Sequence, residues 1–284
     1  MGAAPLFTPI PLARAEFDFF RARVQERAGI SLSEAKIELV QARLRPRLVE
    51  LGLTGYSGYV SYLQTLPPEH EEWQTFVNSL TTNKTDWFRE PQHFDLLVND
   101  FLPRWFKLGK KKLKVWCAAS STGEEPYTLA LVLDKALRES GADFEILATD
   151  IDTEVLSHAR RGVYPRDRLF QIPPSFQSGF DFGTGEISDW MRVKKRIKDK
   201  IRFERFNLIS SAYPWKSEFD FIFCRNVMIY FNEETTRLVV THAFQAAAEH
   251  SALIIAHSES LQNIKSPWAY LQPSIYVKGT KISY

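Results

Sequence analysis

The chain has 284 residues, 44% hydrophobic and 25% charged, which suits a soluble globular protein of one large or two modest domains with a sizeable core. Its net charge of +2 excludes the strong overall field by which a protein holds nucleic acid or an anionic membrane through charge alone. Two cysteines, Cys117 and Cys224, are too few for a metal cage; both lie in apolar runs, where a free thiol packs as a small hydrophobe and fits a reducing compartment.

In chain order, Met1 to Pro11 has no basic stretch before an apolar core, so no signal peptide is expected. Pro5, Pro9 and Pro11 point to an extended lead-in. No apolar run approaches the length of a membrane span. From about Leu12 to Leu80 the pattern is helical. Phe17, Phe20, Val24 and Ala28 recur on one face, with Gly29 as C-cap. Ser31 to Glu34 reads as a capping box, and the helix after it carries Ile37, Val40, Leu44 and Leu48 on one face. Lys36, Arg43, Arg45 and Arg47 lie on the other. Gly52 and Gly55 end it. Tyr56–Leu66 and Glu69–Leu80 read as two shorter helices separated by Pro67-Pro68.

From Leu113 the rhythm changes to strands alternating with amphipathic helices: Leu113–Ala119 then Glu125–Glu139, and Glu145–Asp150 then Thr153–Arg161. It resumes with a buried strand at Phe219–Cys224, a helix over Glu233–His250, a short strand at Ala252–Ala256 and a last one at Tyr276–Lys278. Such alternation predicts a parallel, doubly wound sheet. The stretch from about 162 to 206 departs from it. Prolines 165, 173 and 174 and glycines 179, 183 and 185 precede a basic run from Arg192 to Arg202. In that run Met191, Val193, Ile197, Ile201 and Phe203 alternate, which predicts a small antiparallel insert.

The chemistry-bearing residues cluster where this topology places ligands, at the carboxyl ends of strands. Trp116-Cys117-Ala118-Ala119-Ser120-Ser121-Thr122-Gly123-Glu124-Glu125-Pro126-Tyr127 joins the first strand to its helix. It lacks the G-x-G-x-x-G that presses a pyrophosphate onto a helix N-terminus; on spacing alone it is equally a plain strand–helix turn. Asp150 ends the second strand, where a carboxylate can accept both hydroxyls of a ribose or cap the next helix; Asp152 is the better cap, which leaves Asp150 for a ligand. Asn83, Thr85 and Arg89 lie in a polar segment whose Trp87-Phe88 is unusual for a solvated linker. Arg225, Asn226 and Tyr230 follow the Phe219–Cys224 strand, although a tyrosine between Ile229 and Phe231 is commonly a core residue. Asn207-Leu208 can offer an amide to a base edge. His93, His158, His242, His250 and His257 are scattered with no metal-ligand spacing, and neither H-E-x-x-H nor G-x-S-x-G occurs.

Taken together these segments closely resemble the chemotaxis receptor glutamate methyltransferase family (CheR). The resemblance rests on Asn78-Ser79-Leu80-Thr81-Thr82-Asn83, Phe88-Arg89-Glu90, Ala119 to Tyr127, Asp150-Ile151-Asp152-Thr153-Glu154-Val155-Leu156, Cys224 to Phe231 and His257-Ser258-Glu259. It runs from about Phe17 to Tyr276. It implies an α/β fold: a Rossmann-like S-adenosylmethionine-dependent methyltransferase sheet domain over residues 91–284, a helical N-terminal domain and linker over 1–90, and a β-subdomain inserted at about 162–206. It implies S-adenosylmethionine as cofactor and S-adenosylhomocysteine as product. Cofactor contacts would come from Asn83, Thr85, Arg89, Glu125, Asp150, Asn207, Leu208, Arg225 and Asn226, with Arg89 and Tyr230 as the catalytic pair. Arg43, Arg45 and Arg47 would dock the acidic helical domain of methyl-accepting receptors. Thr184-Gly185 matches the region where relatives often bind a C-terminal receptor pentapeptide, but Asp189 replaces a glycine found in some of them. The expected protein is a cytoplasmic monomer that meets membranes through its receptors and binds neither nucleic acid nor metal.

Three other functions are distinguishable. A nicotinamide dehydrogenase needs the glycine fingerprint that is missing. A nucleic-acid methyltransferase draws support from the basic run at Arg192–Arg202 but lacks an Asn/Asp-Pro-Pro-aromatic motif. A cofactor-binding regulator without chemistry has no need of Arg89 and Tyr230.

Overall fold

The computed structural model describes residues 11–279; the lead-in prolines Pro5 and Pro9 lie outside them. The described chain forms two compact units. One runs through Thr82 and includes Tyr230–Asn232; the other holds Asn83–Ile229 and the chain from Glu233 onward. The segment Asn83–Glu90, expected as the linker after the helical domain, clusters with the sheet unit.

The helical unit contains α1 (Arg14–Ala28), α2 (Ile37–Glu50), α3 (Tyr56–Thr65) and α4 (Glu71–Leu80). Its core is the apolar stripe of the sequence: Phe17, Phe20, Val24, Val40, Leu44, Leu48, Tyr59, Leu63 and Phe76 are buried. Phe20 lies 5.9 Å from the Tyr59 ring and 5.8 Å from the Phe76 ring, and burying each such ring contributes about 1.5–3 kcal/mol. Gly29 ends α1 in the left-handed region, at φ 72°. The expected capping box at Ser31–Glu34 does not form. Glu34–Lys36 makes one 3₁₀ turn, and the Glu34 carboxylate bonds the Arg14 guanidinium instead, a charge-assisted partner that outcompetes a backbone amide.

The sheet unit opens with α5 (Gln92–Leu96), which continues through a wide turn at Leu97–Phe101 into α6 (Leu102–Lys107). The sequence pattern did not expose these helices, because Pro103 interrupts them; it sits in the first turn of α6, where a missing N–H costs little. There follow β1 (Lys112–Cys117), α7 (Glu124–Leu137), β2 (Asp143–Asp150), α8 (Thr153–Arg161), β3 (Val163–Pro165), β4 (Phe180–Phe182), β5 (Trp190–Val193), α9 (Lys195–Lys198), β6 (Ile201–Arg205), β7 (Phe219–Phe223), α10 (Glu233–Ala246), β8 (Ala247–Ile254), β9 (Ala269–Gln272) and β10 (Ile275–Val277).

The main sheet has 7 strands in the order β6-β2-β1-β7-β8-β10-β9. Strands β6, β2, β1, β7 and β8 are parallel, and β10 and β9 add antiparallel at one edge. A second sheet of 3 strands, order β3-β5-β4, is antiparallel. Two expectations need correction. Ile201 and Phe203 do not belong to the insert: β6 pairs in parallel with β2, Ile201 against Ile146 and Arg205 against Asp150. An alternating pattern fits an exposed parallel edge as well as a hairpin, and the chain leaves the insert by α9. The helix expected to reach His250 stops at Ala246. Ala247 pairs with Phe219 as β8 begins, so sheet pairing overrides the helix propensity of the alanine run.

Candidate cofactor site

The order of strand addition reverses at β1, with β2 on one side and β7 on the other. The crevice beyond their carboxyl ends is the place such a sheet reserves for a ligand. Three segments enter it: Ala118–Gly123 from β1, Asp150 from β2 and Cys224–Asn226 from β7.

The turn after β1 is shaped by close packing. Ser121 has φ 47° and Gly123 φ 101°. A Cβ on Gly123 would lie 2.7 Å from the Tyr164 hydroxyl and 2.9 Å from Ala159 Cβ, so glycine is required both for the backbone angle and for the approach of α8. Ser120 donates its N–H to the Thr149 carbonyl at 2.9 Å, and its buried hydroxyl has no protein partner. Such a group awaits a polar ligand atom or water.

Asp150 is 9% exposed. Its Oδ2 accepts from the Ser121 N–H at 2.8 Å and its Oδ1 from the Asp152 N–H at 3.0 Å. Burial pushes its carboxyl up to about 6, against the pull of these amides. Asp152 caps α8 by accepting from the Glu154 and Val155 amides, as its position in the sequence indicated, and also accepts from Asn83 Nδ2 at 2.7 Å. The Asn83 carbonyl accepts from Ser121 Oγ at 2.9 Å. Asn83 is thus held against the turn, and the segment after it is held from the insert: Arg168 donates to the Thr85 carbonyl at 3.1 Å, to Asp86 at 2.9 Å and to the buried Glu124 at 3.3 Å.

Arg225 is the electrostatic centre of the crevice. Its guanidinium lies 2.5 Å from Glu125, 2.9 Å from Glu90 and 2.6 Å from the Arg89 carbonyl, with its side chain 1% exposed. Burial disfavours its charge, but Glu125 and Glu90 hold its affinity for the proton above the ordinary value. Burial likewise opposes the Glu90 charge, and the Arg225 bond keeps that carboxyl below its usual range. Glu125 also accepts from the buried Cys117 thiol at 3.1 Å; burial and this carboxylate raise the thiol far from thiolate formation. Asn226 turns the chain at φ 58°. Its N–H donates to Glu259, as do those of Met228, Ile229 and Ala256, so one buried carboxylate holds the whole loop after β7.

Asn207 follows β6, accepting from the Ile209 amide at 3.2 Å, and Leu208 is buried with its carbonyl bonded to the Tyr213 hydroxyl at 2.7 Å. Arg89 is half-buried and donates to the Lys84 carbonyl at 3.3 Å. Tyr230 clusters with the helical unit, where its carbonyl accepts from the Ser31 N–H at 2.8 Å. Of the basic face of α2, Arg45 is exposed. Arg43 bonds the Leu80 carbonyl and Thr82 Oγ1, each at 2.7 Å. Arg47 is committed to the buried Glu72, which also accepts from the Tyr59 hydroxyl.

Sequence reasoning missed the roles of Glu90 and Glu259, although Phe88-Arg89-Glu90 and His257-Ser258-Glu259 held both. It also separated two histidines that the fold joins: the rings of His93 and His257 lie 4.6 Å apart.

The donor set fits an adenosyl group carrying a positive charge. Asp150 can take ribose hydroxyls, Glu125 is an acid at the helix entrance that would repel phosphate, and Arg225 is already neutralised by two carboxylates. Residues 83–277 match the family described as CheR methyltransferase, SAM binding domain, and residues 15–81 its all-alpha domain. The chain is 36% identical to a chemotaxis protein methyltransferase of Escherichia coli over 94% of this chain and 92% of that one. It is 38% identical to chemotaxis protein methyltransferase 2 of Pseudomonas aeruginosa over 90% and 93%. A chemotaxis protein methyltransferase of Borreliella burgdorferi is 35% identical over 88% and 89%. A match across both the helical and the sheet unit establishes that the chain belongs to the CheR methyltransferase family and is an S-adenosylmethionine-dependent methyltransferase.

Proposed function

We propose that the protein transfers a methyl group from S-adenosylmethionine to glutamate side chains of methyl-accepting chemotaxis receptors, forming glutamyl methyl esters in sensory adaptation. The observation that carries this reading is the buried Asp150 carboxylate, held by the Ser121 N–H at the crevice edge, in a chain similar over most of its length to chemotaxis protein methyltransferases.

When bound, S-adenosylmethionine supplies a methyl group activated by its sulfonium. A receptor glutamate, with a pKa of about 4.3, is already a carboxylate at neutral pH, so the chain has no need of a base to activate it. Its task is placement and exclusion of water, because opposite charges cancel as the methyl moves. Holding oxygen, carbon and sulfur in line is worth about 7–11 kcal/mol in favourable cases. In this reading Asp150 takes the ribose hydroxyls. Glu125, oriented by Arg225, faces the cationic amine of the methionyl group. Asn83, Thr85, Asn207, Leu208 and Asn226 complete the cofactor contacts. Arg89 fixes a carboxylate, and the Tyr230 hydroxyl orients the reacting groups.

The helical domain of the receptor is the natural partner of the basic face of α2, with Arg45 as its exposed member. A receptor C-terminal peptide fits the insert by strand addition at β4, an edge strand, beside the exposed Phe182, Ile187 and Trp190. Asp189 alters that surface relative to some relatives, so this tether is the accessory contact. No helix among the described residues is long and apolar enough to cross a membrane; the protein is read as a cytoplasmic monomer that reaches membranes through its receptors. Incubation with methyl-labelled S-adenosylmethionine and receptor-bearing membranes tests the proposal. Label on the receptor band is the expected outcome, and label on nucleic acid or nowhere contradicts it.

A further inference from the structure

Among the described residues, Glu90, His93 and His257 bring one ligand atom each within 4.8 Å of one another. Their hydrogen bonds make the cluster more than a coincidence of side chains. The Ser274 hydroxyl donates its only proton to the Pro273 carbonyl at 2.6 Å. With its proton so directed it accepts from His93, whose Nε2 lies 2.8 Å away, and in that arrangement Nε2 carries the proton and Nδ1 presents a lone pair. His93 is 3% exposed and its Nδ1 has no hydrogen-bond partner. That lone pair faces the Glu90 carboxylate, with Oε2 at 3.4 Å. Arg225 donates to that same Oε2 at 2.9 Å, so the half-buried carboxylate has its counter-charge, and the unanswered atom is the buried His93 Nδ1, to which no donor is bonded. The exposed His257 ring completes the third side, and the His257 backbone N–H lies 3.4 Å from both Glu90 oxygens.

We propose that Glu90, His93 and His257 form a binding site for a borderline divalent transition-metal ion, of which Zn²⁺ is the type, with water filling the remaining positions. Two imidazole nitrogens and one carboxylate oxygen are a donor set for Zn²⁺, Co²⁺ or Ni²⁺, and not for Mg²⁺ or Ca²⁺, which take oxygen. Bonds of about 2.0–2.2 Å require the donors to draw together, and rotation of the exposed His257 ring does this. Ser274 has the role of the outer partner that orients a ligating histidine through its second nitrogen. Glu90 keeps its Arg225 bond through one oxygen and offers the other. The ion ties the start of α5 to the loop after β8, both next to the segment carrying Arg89. The site shares Glu90 with the Arg225 network of the crevice, and its test reads metal binding rather than methyl transfer.

The test uses the untagged full chain, stripped with a chelator and titrated at neutral pH with Zn²⁺ by calorimetry and with Co²⁺ by visible absorption. One equivalent of bound metal, Co²⁺ d–d bands, and a melting temperature raised by Zn²⁺ are expected. His257→Ala, on an exposed side chain, weakens binding by more than the roughly 10–100-fold typical of losing an outer partner and abolishes the melting shift, and His257→Gln behaves alike. His250→Asn, at a distant exposed histidine, leaves both in place. The proposal is overturned by sub-stoichiometric binding, by metal affinity unchanged in the His257 variants, or by equal loss in His250→Asn.

Discussion

The Arg225 guanidinium and the Glu125 carboxylate meet at 2.5 Å, joining the end of β7 to the start of α7 across the crevice that receives the cofactor. The pair fixes Glu125 at the α7 entrance, beside Glu124, which Arg168 holds, and Glu90 shares the same cation. Removing the arginine leaves two half-buried carboxylates without a counter-charge, which is destabilising. Arg225→Ala is therefore expected to lower the denaturation midpoint sharply and to weaken cofactor binding. Arg225→Lys keeps the charge but cannot serve Glu125, Glu90 and the Arg89 carbonyl together, and falls between. Urea titration and cofactor calorimetry on the same samples read both effects.

Asp150 links cofactor affinity to pH. Its carboxyl is pushed up to about 6 in the folded protein without cofactor, above the unfolded value of about 3.9. The folded state thus holds the extra proton through this window, and the group's contribution to stability is present below it and lost as the pH rises through 6. Ribose hydroxyls donate to the ionised form, so affinity runs the other way. It rises with pH up to about 6 and is flat above, with binding at pH 5 weaker than at pH 7 by about tenfold. Calorimetry at pH 5, 6 and 7 measures it. Asp150→Asn is expected to bind weakly at every pH and to lose the step; a step that survives in that variant belongs to another group.

Glu259 is expected to govern the order of the loop after β7. Its carboxylate accepts four backbone N–H groups, from Asn226, Met228, Ile229 and Ala256. Glutamine has one acceptor oxygen and turns an NH₂ toward the remaining donors, a cost of about 1–3 kcal/mol. Glu259→Gln should show faster amide exchange at Met228 and Ile229 and lower turnover, with cofactor affinity less affected than turnover.

The basic face of α2 divides by role. Arg47→Ala strands the buried Glu72 and is expected to lower the melting temperature. Arg45→Glu, at an exposed position, is expected to leave melting unchanged while weakening receptor binding and its dependence on salt. Sedimentation with receptor membranes at two ionic strengths distinguishes the two. Equal binding by wild type and Arg45→Glu removes Arg45 from the docking surface.

Tyr230→Phe is expected to reduce the single-turnover rate by about 100-fold through misplacement of the reacting groups, with the melting temperature retained. An unchanged single-turnover rate excludes the hydroxyl from the reaction.

Local chemistry made much of this legible. The Asp152 cap and Gly162 bound α8 at Thr153 and Arg161, where the sequence placed it, because both signals act within one turn. The stripe Phe17, Phe20, Val24 and Ala28 located the core face of α1 for the same reason. What stayed hidden depends on distant partners. Ile201–Arg205 alternates in either kind of sheet, and only its pairing with β2 decides. Glu125 and Glu90 lie 100 and 135 residues from Arg225, so no spacing rule reveals that they share one cation. The His93 lone pair is likewise a product of Ser274, far along the chain.

The central claim, a carboxyl-methylating enzyme, is tested most directly by the stability of the product bond. After transfer of labelled methyl groups to receptor membranes, brief treatment with alkali should release the label as volatile methanol, as an ester requires. Label that stays on the protein through alkali would mean methylation of nitrogen or sulfur and would contradict the assignment to glutamate.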